Sequence, residues 1–176
     1  MNKYEKLIEL SNIPGVELFF NTKWLFKKTL GNNLKSADLI VRLLAIDNYF
    51  DKNNYGFKLY NTMQKTRLKN NLQIPNRAKD YETEFKNLIK SFKDKGYING
   101  SPVELNKNFE VFDGAHRLVC AMAFNIEKIP VKFTSKYIDK EYDYSIDWFK
   151  SNGLIEFEQY ILKKYDELIK EKKLGD

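Results

Sequence analysis

The chain has 176 residues, of which 43% are hydrophobic and 15% aromatic, with 30 basic and 24 acidic side chains and a formal net charge of +6. That apolar content excludes a disordered tail and suits one folded domain with room for an appended helical part. The two signs of charge are interleaved without a basic run, so the positive balance reads as a solvated lysine surface rather than a nucleic-acid face.

The first residues, MNKYEKLIEL, are charged and lack the apolar core of a signal peptide. Residues 3–11 predict a short helix, because Tyr4, Leu7, Ile8 and Leu10 fall near helical spacing. Pro14 and Gly15 end it. Val16 to Leu30 is aromatic-rich, with Phe19, Phe20, Trp24 and Phe26, and its pattern is ambiguous. Gly31-Asn32-Asn33 marks a turn. DLIVRLLAI, from Asp38 to Ile46, is β-branched and apolar, and is expected as a buried strand; it is too short and too interrupted by Arg42 to span a membrane. The polar run IDNYFDKNNYG after it is expected as a loop.

Helical spacing returns from Phe57 to Leu68, with Leu59, Tyr60 and Met63 on one side. Pro75 breaks the chain, and Asp80 to Phe92 predicts a second helix through Phe85, Leu88, Ile89 and Phe92. Gly96 and Gly100 follow. SPVEL and FEVF read as short strands joined at Asn106-Lys107-Asn108. A DGAHR turn then leads into a helix from about Ala115 to Phe124, with Asn125 as a left-handed cap and IPVKF as the next strand. From Asp143 the sequence is helical, interrupted at Ser151-Asn152-Gly153. Trp148 and Phe149, then Phe157, Tyr160, Ile161, Tyr165 and Ile169, mark two helices packed on the domain, while KEKKLGD is expected to fray. The sum is an α+β fold: a small mixed sheet with flanking helices and a C-terminal helical extension. Residues 1–34 form a helical and aromatic segment on the core, 35–138 the core itself, and 139–176 the C-terminal helices of the same unit.

Chemistry concentrates in the DGAHR turn, which holds the only histidine, His116, beside Arg117, one of four arginines with Arg42, Arg67 and Arg77. Gly114 permits a tight turn and close approach. The first turn of a helix offers free N–H groups and a positive dipole end, so Gly114, Ala115, His116 and Arg117 together can bind an anion. Arg117 adds a forked donor pair suited to phosphate, and His116 can donate a hydrogen bond or pass a proton. Asp113 is the odd member, serving as a helix cap, a Mg²⁺ ligand or a base toward a hydroxyl. The plainer alternative makes Asp113 a simple cap, with His116 and Arg117 as surface residues.

Further candidates are Arg67 and Lys65, as phosphate or carboxylate clamps or solvated charges, and Tyr55 and Tyr60, as base-stacking rings or core. Trp148 is expected to anchor the tail. One histidine and one cysteine leave no zinc site or disulfide framework, which fits a reducing, cytoplasmic setting.

The run FEVFDGAHRLVCAMAFNIEKIPV resembles the ParB/sulfiredoxin superfamily, in which a strand leads into a G-x-H-R or G-x-R-R turn, an Ala-rich helix and a strand beginning Ile-Pro. The likeness covers residues 97–133, extends more weakly over 38–96, and does not reach the first 30 residues or those after about 138. Ala115 stands where sulfiredoxins place their reactive cysteine, and Cys120 falls on the buried helix, which argues against that activity. His116 replaces the second arginine of the CTP-binding turn of partition proteins, and no basic recognition helix follows. The D-G-x-H-R form is most similar to the free-serine kinases of the superfamily. That resemblance implies ATP or ADP phosphates at the turn (CTP also possible for the superfamily), Mg²⁺, and phosphoryl transfer to a small hydroxyl compound such as serine. It also implies a catalytic carboxylate after the first strand, where Asp47 is nearest and Asp51 second. The alternatives are a nucleotide-binding regulatory or DNA-binding module, or a nuclease, the last lacking a dense carboxylate cluster. The site expected on these grounds comprises Asp47, Asp113 and His116 as catalytic groups, with Gly114, Ala115, His116, Arg117 and Arg67 on the nucleotide.

Overall fold

The computed structural model describes residues 3–14, 16–51, 55–70, 81–98, 101–134, 144–171 and 173–174. The expectations at Gly15, Pro75, Asp80, Gly100, Lys172, Gly175 and Asp176 lie outside them. Helix α1 (Lys3–Ser11) stands where its spacing places it. The aromatic segment divides into strand β1 (Leu18–Asn21) and helix α2 (Thr22–Leu30). The change of type falls at Asn21, whose side-chain oxygen accepts from the Trp24 N–H at 2.9 Å and caps the helix. A 3₁₀ turn at Asn32–Leu34 precedes α3 (Asp38–Asp51), α4 (Tyr55–Asn70) and α5 (Tyr81–Lys95). The expected hairpin follows as β2 (Val103–Leu105) and β3 (Val111–Asp113), then α6 (Ala115–Ala123), β4 (Lys128–Phe133), α7 (Ile146–Ser151) and α8 (Phe157–Lys170).

Asp38–Ile46 is therefore not a strand, and Asp47–Asp51 is not a loop: both belong to α3, a helix of 14 residues. Leu39, Ile40, Val41, Arg42, Leu43, Ala45 and Ile46 are all buried, because α3 is packed by α4, α6 and α8. A helix enclosed on several sides is apolar nearly all round and loses the periodicity that distinguishes it from a buried strand. Its one helical clue is the spacing of Asp38 and Arg42, which form an i,i+4 ion pair. In α5 the reading succeeds because only one face is covered, and Phe85, Ile89 and Phe92 form the buried stripe.

The sheet is mixed, with order β1-β4-β2-β3. β4 runs antiparallel to β1 and parallel to β2, and β2 runs antiparallel to β3. Val103, Leu105, Ile129, Val131 and Phe133 are buried on the face toward the helices, while Phe19, Lys128 and Lys132 lie exposed on the other. The parallel β2–β4 pair spans the hairpin and α6, so α6 is carried across the sheet with its first turn following β3 directly. Asn125 ends the α6 turn at φ 55, as expected of a left-handed cap.

At the chain ends, the Tyr4 hydroxyl donates to the Thr134 carbonyl at 2.7 Å, which fixes α1 beside β4. In α8, Phe157, Ile161 and Leu168 are buried, whereas Ile169 is 49% exposed and does not join the stripe. No helix among the described residues is long and apolar enough to cross a membrane.

Candidate anion-binding site

The DGAHR segment turns from β3 into α6 at Gly114, which has φ +95 and is itself the N-cap, without a side-chain cap. Asp113 does not cap the helix. Its Oδ2 instead accepts from Arg117 Nη2 at 2.9 Å, and the same nitrogen donates to the Pro102 carbonyl at 3.2 Å. The guanidinium folds back over the turn because Gly114 has no side chain. A Cβ there would stand 2.8 Å from Nη2 and 3.0 Å from Nε of Arg117. The Arg117 Nε–H is buried and has no hydrogen-bond partner. The first helical bond runs from the Leu118 N–H to the Gly114 carbonyl at 2.9 Å, so the N–H groups of Ala115, His116 and Arg117 precede the helical ladder.

His116 points inward. Its Nε2 lies 2.9 Å from the Tyr60 hydroxyl and 3.3 Å from Nε of Arg42. Phe85 meets the ring edge-on at 4.7 Å between centroids. An arginine Nε–H can only donate, so Nε2 is an acceptor and the ring proton sits on Nδ1. The Tyr60 hydroxyl then donates to Nε2 and accepts from Gln64 Nε2 at 3.1 Å, while Gln64 Oε1 accepts from Arg67 Nη1 at 3.1 Å. Tyr60, Gln64 and Arg67 follow one face of α4 at helical spacing. On the opposite side, Arg42 is held by Asp38, with Nη1 at 2.5 Å from Oδ2 and 2.9 Å from the backbone carbonyl. Arg42 is only 2% exposed.

Three of the four arginines thus bear on the one histidine. Asp38 offsets Arg42, and Asp113 offsets Arg117. Arg67 has no carboxylate partner among the described residues; its guanidinium carbon lies 4.4 Å over the Tyr144 ring. Among the described residues one net positive charge therefore remains in the cluster. Burial first, and then the charges of Arg42, Arg67 and Arg117, push the His116 imidazole well below its ordinary value. At neutral pH the ring is neutral, with Nδ1–H as a donor.

This depression has a sign that stability measurements can read. Unfolded His116 takes up a proton below about pH 6.5, whereas the folded ring does not. Above that pH the two states bind protons equally at this site. Below it the unfolded state binds more, so folding stability falls with pH at up to about 1.4 kcal/mol per unit. Denaturation of wild type and His116→Gln between pH 5 and 7 is expected to give a steeper decline in wild type. Parallel curves would mean that the imidazole titrates normally in the fold.

The expected residues separate into two groups. Asp113, Gly114, Ala115, His116 and Arg117 make up the turn, and Arg67 is linked to it through Gln64 and the Tyr60 hydroxyl on His116. Asp47 does not join them. It sits five residues beyond Arg42 on α3, about 140° further round the helix, and its Oδ2 binds Lys164 Nζ of α8 at 2.6 Å. Burial pushes its carboxyl up while Lys164 pulls it down. Asp51 ends the same helix. Lys65 is exposed, in keeping with a solvated charge. Tyr55 packs against Tyr160, with ring centroids 4.4 Å apart and planes tilted by 45°, and Tyr60 is a core residue with its hydroxyl on His116. Cys120 is buried, and burial pushes its thiol up to about 12, so it is inert as expected. Trp148 packs between Tyr144 and Phe149, 5.0 Å from each ring. Sequence reasoning missed Asp38, Arg42, Gln64 and Tyr144. The i,i+4 spacing of Asp38 and Arg42, and the 60-64-67 spacing on α4, were the signals available for all but Tyr144.

Among the described residues no three histidine, cysteine, aspartate or glutamate side chains stand together to hold a metal ion. The donors at the turn are cationic or neutral, apart from Asp113. They fit phosphate oxygens, and they fit Mg²⁺ only as a companion of those oxygens, with Asp113 as a single protein ligand. Comparison of the chain with family models, curated proteins and solved structures gives no match.

Proposed function

We propose that the chain is a nucleotide-dependent phosphotransferase of the ParB/sulfiredoxin type, acting on a small hydroxyl compound such as serine. The observation that carries this reading is a neutral His116 in the first turn of α6, accepting from Arg42 and lying within the influence of the Arg67 and Arg117 charges. Such a cluster is built to hold anionic oxygens by charge and by directed donors. Bound there, ATP with Mg²⁺ supplies the phosphoryl group. The α6 N–H groups and Arg117 would orient its oxygens, and Arg67 would neutralise charge that grows during transfer. His116 would donate from Nδ1, its ring held by Tyr60 and Arg42. Asp113, exposed at the tip of the turn, would orient the acceptor hydroxyl and take its proton. Asp47, turned toward Lys164, has no part in this arrangement.

The test is thermal unfolding with ATP, ADP and CTP, each with Mg²⁺, on wild type, Arg117→Ala and His116→Ala. A ligand at about 100 times its Kd adds about 2.7 kcal/mol to the folded state. That corresponds to a rise of roughly 5–10 °C for a chain of this size. One nucleotide is expected to give this shift in wild type and little of it in either variant. Transfer of its terminal phosphate to serine and related alcohols then separates an enzyme from a regulatory nucleotide binder. Equal shifts in all three proteins would exclude the turn as the phosphate site.

A further inference from the structure

Arg67 is the one guanidinium of the cluster without a carboxylate among the described residues, and it is held by a residue from the far end of the chain. Its Nη1 donates to Gln64 Oε1 at 3.1 Å. Its flat face lies over Tyr144, with the guanidinium carbon 4.4 Å from the ring centroid. Tyr144 is itself anchored. Its N–H donates to the Lys35 carbonyl at 3.0 Å, it bridges to Ser36, and the Trp148 ring meets it edge-on at 5.0 Å. Ser36 lies two residues before Asp38, the partner of Arg42. The same short stretch that leads into α3 therefore docks the C-terminal segment.

We propose that Tyr144 is a positioning residue of the anion site: its ring carries the Arg67 guanidinium, so the C-terminal segment completes the site as well as covering the core. This rests on the functional reading above for the ligand, but not for the placement of Arg67. An arginine side chain has many rotamers, and ordering it at the moment of binding costs affinity. Stacking on a ring orders it beforehand through cation–π attraction. The remaining guanidinium N–H groups then stay directed for a phosphoryl oxygen.

The test has a ligand-free arm and a ligand arm. His116 is the only histidine, so its ring protons can be followed by NMR without ambiguity, and Arg67 is one of the charges that hold its titration low. Tyr144→Leu, or Tyr144→Met should the first not fold, is expected to move the His116 midpoint upward, in the direction of Arg67→Ala. Tyr144→Phe, which keeps the ring face, is expected to leave it at the wild-type value. In the second arm, pyrophosphate binding is expected to weaken about five- to tenfold in Tyr144→Leu and to be retained in Tyr144→Phe. A Tyr144→Leu titration that coincides with wild type while Arg67→Ala shifts would overturn the proposal. If wild type binds neither pyrophosphate nor nucleotide, the anion site itself falls, and the titration still judges the placement of Arg67.

Discussion

Gly56→Ala is expected to cost about 3 kcal/mol or more, enough to leave little folded protein. The expected sign is opposite to the usual one, since alanine in a helix normally gains up to about 1 kcal/mol over glycine. Gly56 lies in the first turn of α4, where that helix meets α3. A Cβ there would stand 2.0 Å from the Leu44 carbonyl oxygen, 2.5 Å from its carbon and 2.9 Å from the Ala45 nitrogen. These are backbone atoms inside a helix packed by α4, α6 and α8, so no side chain can swing aside to relieve the contact. Denaturant unfolding of the variant reads the loss directly. Stability equal to wild type would mean that α3 and α4 do not approach this closely.

Asp38→Ala is expected to be comparably severe, at about 3–5 kcal/mol, because it strands a guanidinium that is 2% exposed. The double variant Asp38→Leu/Arg42→Met removes both charges and is expected to recover most of that loss, since a buried pair often contributes little over well-packed apolar groups. Recovery of stability without recovery of the nucleotide-induced melting shift would separate the two tasks of Arg42. One is to fill the core beside Asp38; the other is to hold Nε2 of His116. If the double variant is no more stable than Asp38→Ala, the ion pair is a stabilising element in its own right.

The sequence was most readable where one side of an element meets solvent. The stripe of α5, the β2–β3 hairpin and the strand–turn–helix at Gly114 all have an exposed side, so their patterns retain a period. α3 has almost none, and its apolar run could not be told from a buried strand. The carboxylate that the resemblance implies after that run was sought at Asp47, which α3 turns toward Lys164. The polar turn itself was legible from Gly114, His116 and Arg117 as types in order. Its partners were not, because Tyr60 and Arg42 reach His116 through tertiary packing, and Tyr144 packs on Arg67; their own neighbours in sequence reveal nothing of the turn. Arg117 also defied expectation in direction: it folds back on Asp113 and Pro102, a course set by the space above Gly114.

The sheet order has a bearing on how the chain folds. Among the described residues β1 has β4 as its only strand partner, and Leu18 stands opposite Val131, so most of the chain must be made before β1 finds that neighbour. The Ser36–Tyr144 bridge closes a second loop of similar span. Loop closure on that scale is slow, whereas the β2–β3–α6 unit depends on near neighbours. The order of events that follows is local assembly of the hairpin with α6, growth of β4 beside β2, and only then capture of β1. A nascent chain released before Lys128 would carry Leu18 and Phe20 with no strand to cover them, an aggregation hazard that lasts until the last quarter of the protein is synthesised.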